Sequence, residues 1–225
     1  MIKKFIRSHP RKILIGAPII FLILVNLTGV LSGGNFFSFS ADNGNFPVVG
    51  DQIAVAVQLS TKTPVNAAGG TVNFAPDMLN IVSTSRVTSI VDLWAEEPIS
   101  SNSNGTLHFS GGILGAKGKE SLQGTVIVVN FTALKEGKTS ITLNDGQILA
   151  NDGRGTNVIS GSKTLTLYIR KPGNASPDVN GDGVLSVADV DALYWRTFRS
   201  YNAAYDLNGD GKVSWADVAQ LVGLL

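Results

Sequence analysis

The sequence predicts a mainly β protein, a jelly-roll or β-sandwich followed by a small α-helical module and preceded by one apolar N-terminal helix. Three observations carry this. Short strand patterns broken by turn residues run from about residue 36 to 170, no helical period of any length interrupts them, and an acidic loop occurs twice near the C-terminus. At 225 residues the chain has room for one or two domains with a real core.

Composition removes several function classes. There is no Cys, which excludes disulfide frameworks, thiolate metal sites, cysteine nucleophiles and a cysteine-linked lipid anchor. His occurs only at 9 and 108, and His9 lies in a basic stretch, so a multi-histidine metal site or a His-based triad is not expected. The formal net charge of +1 is unevenly spread. Lys3, Lys4, Arg7, Arg11 and Lys12 precede any acid, whereas residues 176–225 hold seven Asp against Arg196, Arg199 and Lys212. A basic face on the folded part is missing, so no nucleic-acid partner is expected. The concentrated acid suggests bound cations instead.

Residues 1–12 form a basic cytoplasmic segment, and residues 13–32 a transmembrane or signal-anchor helix. The apolar run from 13 to 31 is close to the roughly 20 residues that span a bilayer. Basic residues before it leave the N-terminus in the cytoplasm and export the rest, as a single-pass membrane protein. Pro18, Asn26 and Gly29 weaken this helix without forbidding it. The alternative is a long signal peptide cleaved near the small residues 29–34, giving a secreted protein.

Between 36 and 170, Ile53, Val55, Val57 and Leu59 alternate onto one face, as do Leu165, Leu167 and Ile169; residues 126–131 read as a continuously buried strand. Turns are expected at Ala68-Gly69-Gly70, Asn104-Gly105, Gly111-Gly112, Glu136-Gly137, Asn144-Asp145-Gly146 and Asn151-Asp152-Gly153. Many short strands at this spacing make a sandwich or jelly roll, which is a scaffold open to many functions.

Four segments in order, residues 65–82 (VNAAGGTVNFAPDMLNIV), 93–98 (LWAEEP), 105–112 (GTLHFSGG) and 149–161 (LANDGRGTNVISG), resemble the cohesin family. The resemblance covers residues 36–170 and implies a nine-stranded jelly-roll module that binds dockerins. It assigns no contact residues, because the family's binding face is spread over a sheet.

Residues 178–193 (DVNGDGVLSVADVDAL) and 206–221 (DLNGDGKVSWADVAQL) superimpose in sequence. Each has Asp, Asn, Gly, Asp and Gly at positions 1, 3, 4, 5 and 6, Ser at 9 and Asp at 12, the grammar of an EF-hand-like calcium loop. Ca²⁺ takes six to eight oxygens, so a tight loop must turn several carboxylates inward. In the first loop Asp178, Asn180, Asp182, the carbonyl of Val184 and Asp189 supply them, with a water held by Ser186. In the second the set is Asp206, Asn208, Asp210, the carbonyl of Lys212 and Asp217, with a water on Ser214. Gly183 and Gly211 permit the sharp turn. Leu185 and Val213 can pair the loops through a short β-bridge. The expected cofactor is two Ca²⁺ ions.

Position 12 is Asp, and the two prolines of residues 171–177 (KPGNASP), read as a linker, leave no regular helix before the first loop. Loop-then-helix, twice, is similar to a type I dockerin, and the resemblance covers residues 178–225. It implies a helical module that folds on Ca²⁺ and docks on a cohesin. The interval between the loops is short for that family, so the connecting helix is missing or cut to a turn at 199–205. By the same resemblance the partner-reading positions are Val187, Ala188, Tyr194 and Trp195 in the first repeat, and Trp215, Ala216, Val222 and Gly223 in the second. The competing reading makes Tyr194, Trp195 and Trp215 the core of a very small module.

No catalytic constellation is found, and the chain is not expected to be an enzyme. Glu96 and Glu97 are neighbours on a strand and point to opposite faces, so they cannot flank one bond. The reading that follows is a membrane-held, non-catalytic scaffold joining protein partners, a dockerin for the cohesin-like part and a cohesin for the dockerin-like part. A chain with both could also link head to tail into an open assembly. Two others stay open: a surface module that binds polysaccharide, and a calcium-stabilised adhesin. Trp94 and Tyr168 are the only Trp or Tyr between 36 and 170, too few for a flat sugar-binding row.

Overall fold

A computed structural model describes residues 34–42, 44–114 and 120–225. The basic and apolar N-terminal segments lie outside these residues, and none of the described helices is long and apolar enough to cross a membrane. Ten strands come first: β1 (Phe36–Ala41), β2 (Gln52–Thr61), β3 (Val65–Asn73), β4 (Leu79–Ser85), β5 (Leu93–Ser101), β6 (Thr106–Gly112), β7 (Leu122–Ala133), β8 (Gly137–Ala150), β9 (Gly161–Ser162) and β10 (Leu165–Ile169). Helices α1 (Val187–Arg196) and α2 (Trp215–Val222) follow.

The strands form two five-stranded sheets, ordered β4-β7-β2-β1-β9 and β10-β8-β3-β6-β5. Pairing is antiparallel except for the short β1–β9 contact. The alternation in β2 is realised residue by residue, since Ile53, Val55, Val57 and Leu59 are all buried between the sheets. Phe37 meets Phe109 edge-on at 6.0 Å, and Phe74 meets Phe131 at 5.1 Å, which ties the sheets together by favourable ring geometry.

Residues 126–131 are not a uniformly buried strand. The β2–β7 register slips between Val57 and Gln58, and Val126 is the extra residue. This bulge lets Val126 and Ile127 both face inward before the alternation resumes at Val129 and Phe131.

Three of the expected turns are instead parts of strands. Ala68-Gly69-Gly70 lies inside β3 and Gly111-Gly112 ends β6. Asn144-Asp145-Gly146 is a bulge within β8, with Asp145 at φ 51°. The glycines serve close approach. A Cβ on Gly70 would stand 3.0 Å from Leu143 Cδ2, and one on Gly111 would run into Val91 Cγ1. The turns at Asn104-Gly105 and Asn151-Asp152-Gly153 are present, with Gly105 and Gly153 at positive φ, whereas Glu136 only leads from a bend at Lys135 into β8, whose first residue is Gly137 at φ 131°.

Edge strand β5 is protected against unwanted pairing by Pro98, by two register shifts and by exposed Glu96 and Glu97. The two carboxylates do point apart: Glu97 pairs with Arg86 at 2.7 Å and Glu96 with His108 at 3.4 Å.

The helical part has its own small core of Ala175, Leu193, Leu207, Val218 and Leu221. Ala175 belongs to the stretch read as a linker. Leu185 and Val213 pack against this core, and no β-bridge joins them among the described residues. The connection between the repeats is a single 3₁₀ turn, Ala203–Tyr205.

Candidate functional site

The twin loops are built alike. Asp178 Oδ1 accepts from the backbone N–H groups of Gly181 and Asp182 at 2.8 and 3.1 Å, and its Oδ2 from Gly183 at 2.9 Å. Asp206 repeats this with Gly209, Asp210 and Gly211 at 2.7, 3.2 and 2.9 Å. Asn180 and Asn208 accept from the N–H of Asp182 and Asp210, and Asp182 and Asp210 accept from Val184 and Lys212. Such successive Asx turns need glycine at two places rather than one. Gly181 and Gly183 have φ of 76° and 81°, and Gly209 and Gly211 of 72° and 82°.

Position 12 closes each loop. Asp189 Oδ1 accepts from Val179 and Asn180, and its Oδ2 from Ser186. Asp217 does the same with Leu207, Asn208 and Ser214. Both carboxylates are completely buried. Ser186 and Ser214 are helix N-caps: their hydroxyls accept from Ala188 and Ala216 N–H at 3.2 and 3.1 Å, and Asp189 and Asp217 complete capping boxes. The serines expected to hold water thus have another task as well. Asp206 is pushed up by burial, yet its carboxyl ends below the ordinary value because the N–H groups of Gly211 and Gly209, the Tyr201 hydroxyl and the N–H of Asp210 favour the anion.

These buried carboxylates have hydrogen bonds but no basic side chain in ion-pair contact among the described residues. No three His, Cys, Asp or Glu side chains among the described residues are gathered as a metal cluster. The donor chemistry is oxygen only, carboxylate, amide and main-chain carbonyl in each loop, which suits a hard cation and not zinc or copper.

The helices place the expected partner-reading residues outside. Val187, Trp195, Trp215 and Val222 are more than half exposed, and Ala188, Ala216 and Gly223 are exposed with them. The core reading of the tryptophans is therefore overturned; Leu193, Leu207, Val218 and Leu221 fill that role. Tyr194 sits at the centre of a ring cluster, 5.1 Å from Trp195, 5.3 Å from Trp215 and 5.2 Å from Phe198. Phe198, 65% exposed, was absent from the expected set. Its spacing of four from Tyr194 is the signal that would have found it.

On the sandwich, His108 bridges Thr71 Oγ1 at 3.2 Å and Glu96 Oε2 at 3.4 Å, a hydroxyl–imidazole–carboxylate row that the sequence did not predict. The imidazole and carboxylate are 47% and 61% exposed on an open sheet face. Such a face cannot exclude water or enclose a substrate, so the row is not a catalytic triad. Trp94 lies beneath the Arg86 guanidinium at 5.5 Å, while Tyr168 stacks on Phe46 and carries the Lys138 ammonium. Their rings are already covered by protein, which argues against a flat sugar-binding row.

Among solved structures, the chain is similar to a type II cohesin domain from the cellulosome of Acetivibrio cellulolyticus, with 15% identity over 60% of this chain and 95% of that one, TM-score 0.47. It is similar also to a non-cellulosomal cohesin from the hyperthermophilic archaeon Archaeoglobus fulgidus, with 14% identity over 60% and 91%, TM-score 0.47. A chain of a type I cohesin–dockerin complex from Clostridium thermocellum matches at 10% identity over 61% and 92%, TM-score 0.48. No curated protein matches. The family profile of the cohesin domain matches residues 42–166, more than half of the chain and almost the whole sandwich. The chain therefore belongs to the cohesin family.

Proposed function

We propose that this chain is a non-catalytic assembly protein that works through both of its modules. The cohesin domain receives a dockerin, and residues 178–225 form a dockerin-like, calcium-dependent module that docks on a cohesin. The observation that carries the reading is the duplicated loop, with the same hydrogen bonds in both copies and an exposed aromatic cluster on the helices that follow. Exposed aromatics of this kind are the usual anchors of protein interfaces.

Each loop would hold one Ca²⁺, through Asp178, Asn180, Asp182, the Val184 carbonyl and Asp189 in the first, and Asp206, Asn208, Asp210, the Lys212 carbonyl and Asp217 in the second. The ion supplies a central charge that several inward oxygens share. The chain's own N–H groups already orient the carboxylates for it, and the capping boxes carry that order into α1 and α2. Val187, Ala188, Tyr194, Trp195, Trp215 and Ala216, with Phe198 added, would form the partner-reading surface. The basic segment 1–12 and apolar segment 13–32 support placement on the outer side of a membrane, tethered by the N-terminus.

Calcium titration of the whole chain by calorimetry, with circular dichroism read alongside, tests the proposal. Two sites and a rise in helicity are expected, and Trp215→Ala should keep both while losing capture of a cohesin partner. A chain that takes up no calcium would refute the module; a Trp215→Ala variant that still docks would refute its surface.

A further inference from the structure

The two loops share their internal bonds but not their surroundings. The second is tied to the sandwich by the stretch read as a linker. At its root, Arg170 is fixed by backbone hydrogen bonds to Pro47 and from Val49, and its Nε donates to the Phe46 carbonyl at 3.0 Å. The same guanidinium donates to the Asn174 carbonyl at 2.6 Å. Asn174 in turn donates through Nδ2 to the carbonyl of Leu207 at 2.8 Å, and Ala175 N–H donates to the carbonyl of Asp206 at 3.2 Å. Asp206 and Leu207 are positions 1 and 2 of the second loop. Gln220 from α2 shares the Leu207 carbonyl.

Packing repeats the asymmetry. Ala175 is buried in the helical core, and a Cβ on Gly209 would stand 3.0 Å from Asn174 Oδ1. The matching Gly181 of the first loop faces open space. Among the described residues, the hydrogen bonds that shape the first loop come from the loop itself. Two further contacts brace the junction: Lys171 pairs with Glu136 at 3.2 Å, and Lys138 Nζ donates to the Leu224 carbonyl at 3.3 Å.

We infer that residues 170–175 are a fixed strap that couples the second loop to the cohesin domain, so that a cation in this loop sets the orientation of the helical module. The inference rests on the calcium reading above. The strap holds the main chain at positions 1 and 2, where the loop begins. A cation that orders Asp206 therefore also tightens the grip of Asn174 and Ala175, and release of the cation loosens the module from the sandwich. Among the described residues the first loop has no hydrogen bond to the strap and meets it only through the shared core, where Leu185 packs.

The test uses the full chain in detergent, isotope-labelled, with amide relaxation measured with Ca²⁺ and with a chelator. With Ca²⁺, amides of α1 and α2 should report the same tumbling time as β2 and β7; with chelator they should report a shorter one. Asn174→Ala should weaken calcium binding at the second loop about fivefold, the equivalent of one hydrogen bond, and leave the first within twofold. Asp178→Ala, which silences the first loop, assigns the sites, and Arg170→Lys provides a second strap variant should Asn174→Ala fail to fold. Calcium uptake with tumbling unchanged by chelator, or an equal effect of Asn174→Ala on both sites, would overturn the coupling alone. No calcium uptake by the wild type would overturn the metal reading and the coupling with it, while the tumbling data would still show whether the strap holds.

Discussion

The sandwich and the helical module reach order by opposite means. Among the described residues, twenty-six buried apolar side chains fill the space between the two sheets, whereas the helical module buries five. Buried apolar area is the main favourable contribution in the first, since each fully buried large side chain contributes roughly 1.5–3 kcal/mol. The second is too small for that, and what replaces hydrophobic area is a set of aspartates whose oxygens take up the loop N–H groups. Asp189 and Asp217 are as buried as Leu193 and Leu221. Among the described residues the sandwich buries few polar side chains, Asn35, Thr61 and Thr139, none of them charged, whereas in the helical module Asp189, Asp206 and Asp217 are buried beside the small apolar core. The lesson is that where little apolar surface is available, backbone donors with fixed acceptors supply local order.

The largest effect that sharpens this contrast is expected at Phe131, fully buried on β7 against Phe74. Phe131→Ala should cost about 3–5 kcal/mol in denaturant unfolding, through lost burial and the cavity left behind. A loss below about 1 kcal/mol would mean that the sheets collapse around the gap, and that the sandwich is not the tightly packed partner in the comparison.

Next comes Asp217→Asn, nearly equal in size to the original. It turns one acceptor into a donor facing Leu207, Asn208 or Ser214 N–H, so about 2 kcal/mol should be lost locally. Hydrogen exchange should rise through α2 and the second loop while β2 and β7 stay protected. Equal loosening of the sandwich would show that the two regions do not fold by separate means.

Two glycines separate the two kinds of constraint at smaller magnitude. Gly70→Ala inserts a methyl against Leu143 in the packed core and should cost about 1–2 kcal/mol by crowding. Gly181→Ala meets nothing, but its φ of 76° is strained for alanine, so about 1 kcal/mol is expected from backbone alone. Asn at 181 should recover part of the second loss and Asn at 70 none of the first, as read by thermal unfolding.

These glycines also show where the sequence was legible. The β2 alternation and the doubled loop could be read because side-chain period and spacing are local properties. Gly69-Gly70 and Gly111-Gly112 suggest turns in sequence because glycine is the same letter whether it bends a chain or makes room for Leu143 and Val91 from distant segments. Val126–Phe131 looked uniformly buried because a bulge is a property of two paired strands. The strap was hidden for the same reason: Asn174 and Ala175 gain meaning only beside Asp206 and Leu207, some thirty residues further on. The Thr71–His108–Glu96 row needed three strands to meet.

The smallest expected effect concerns a sandwich turn whose carboxylate chemistry echoes the helical loops. Asp152 accepts from the Thr156 hydroxyl and from Arg154 N–H, as an Asx turn does, and these bonds hold its carboxyl below the ordinary value of 3.8. A lowered folded-state value stabilises the turn above the unfolded value, near 4, and that stabilisation is lost as the pH falls through the folded-state value. A carboxyl-resolved NMR titration should therefore give Asp152 a midpoint below 3.8 in the wild type. Thr156→Val should move it upward, because the hydroxyl is the largest contributor to the shift. A midpoint that ignores Thr156→Val would place the stabilisation in the backbone donors alone. The sandwich turn would then work as the helical loops do, by main-chain N–H groups closing on an aspartate.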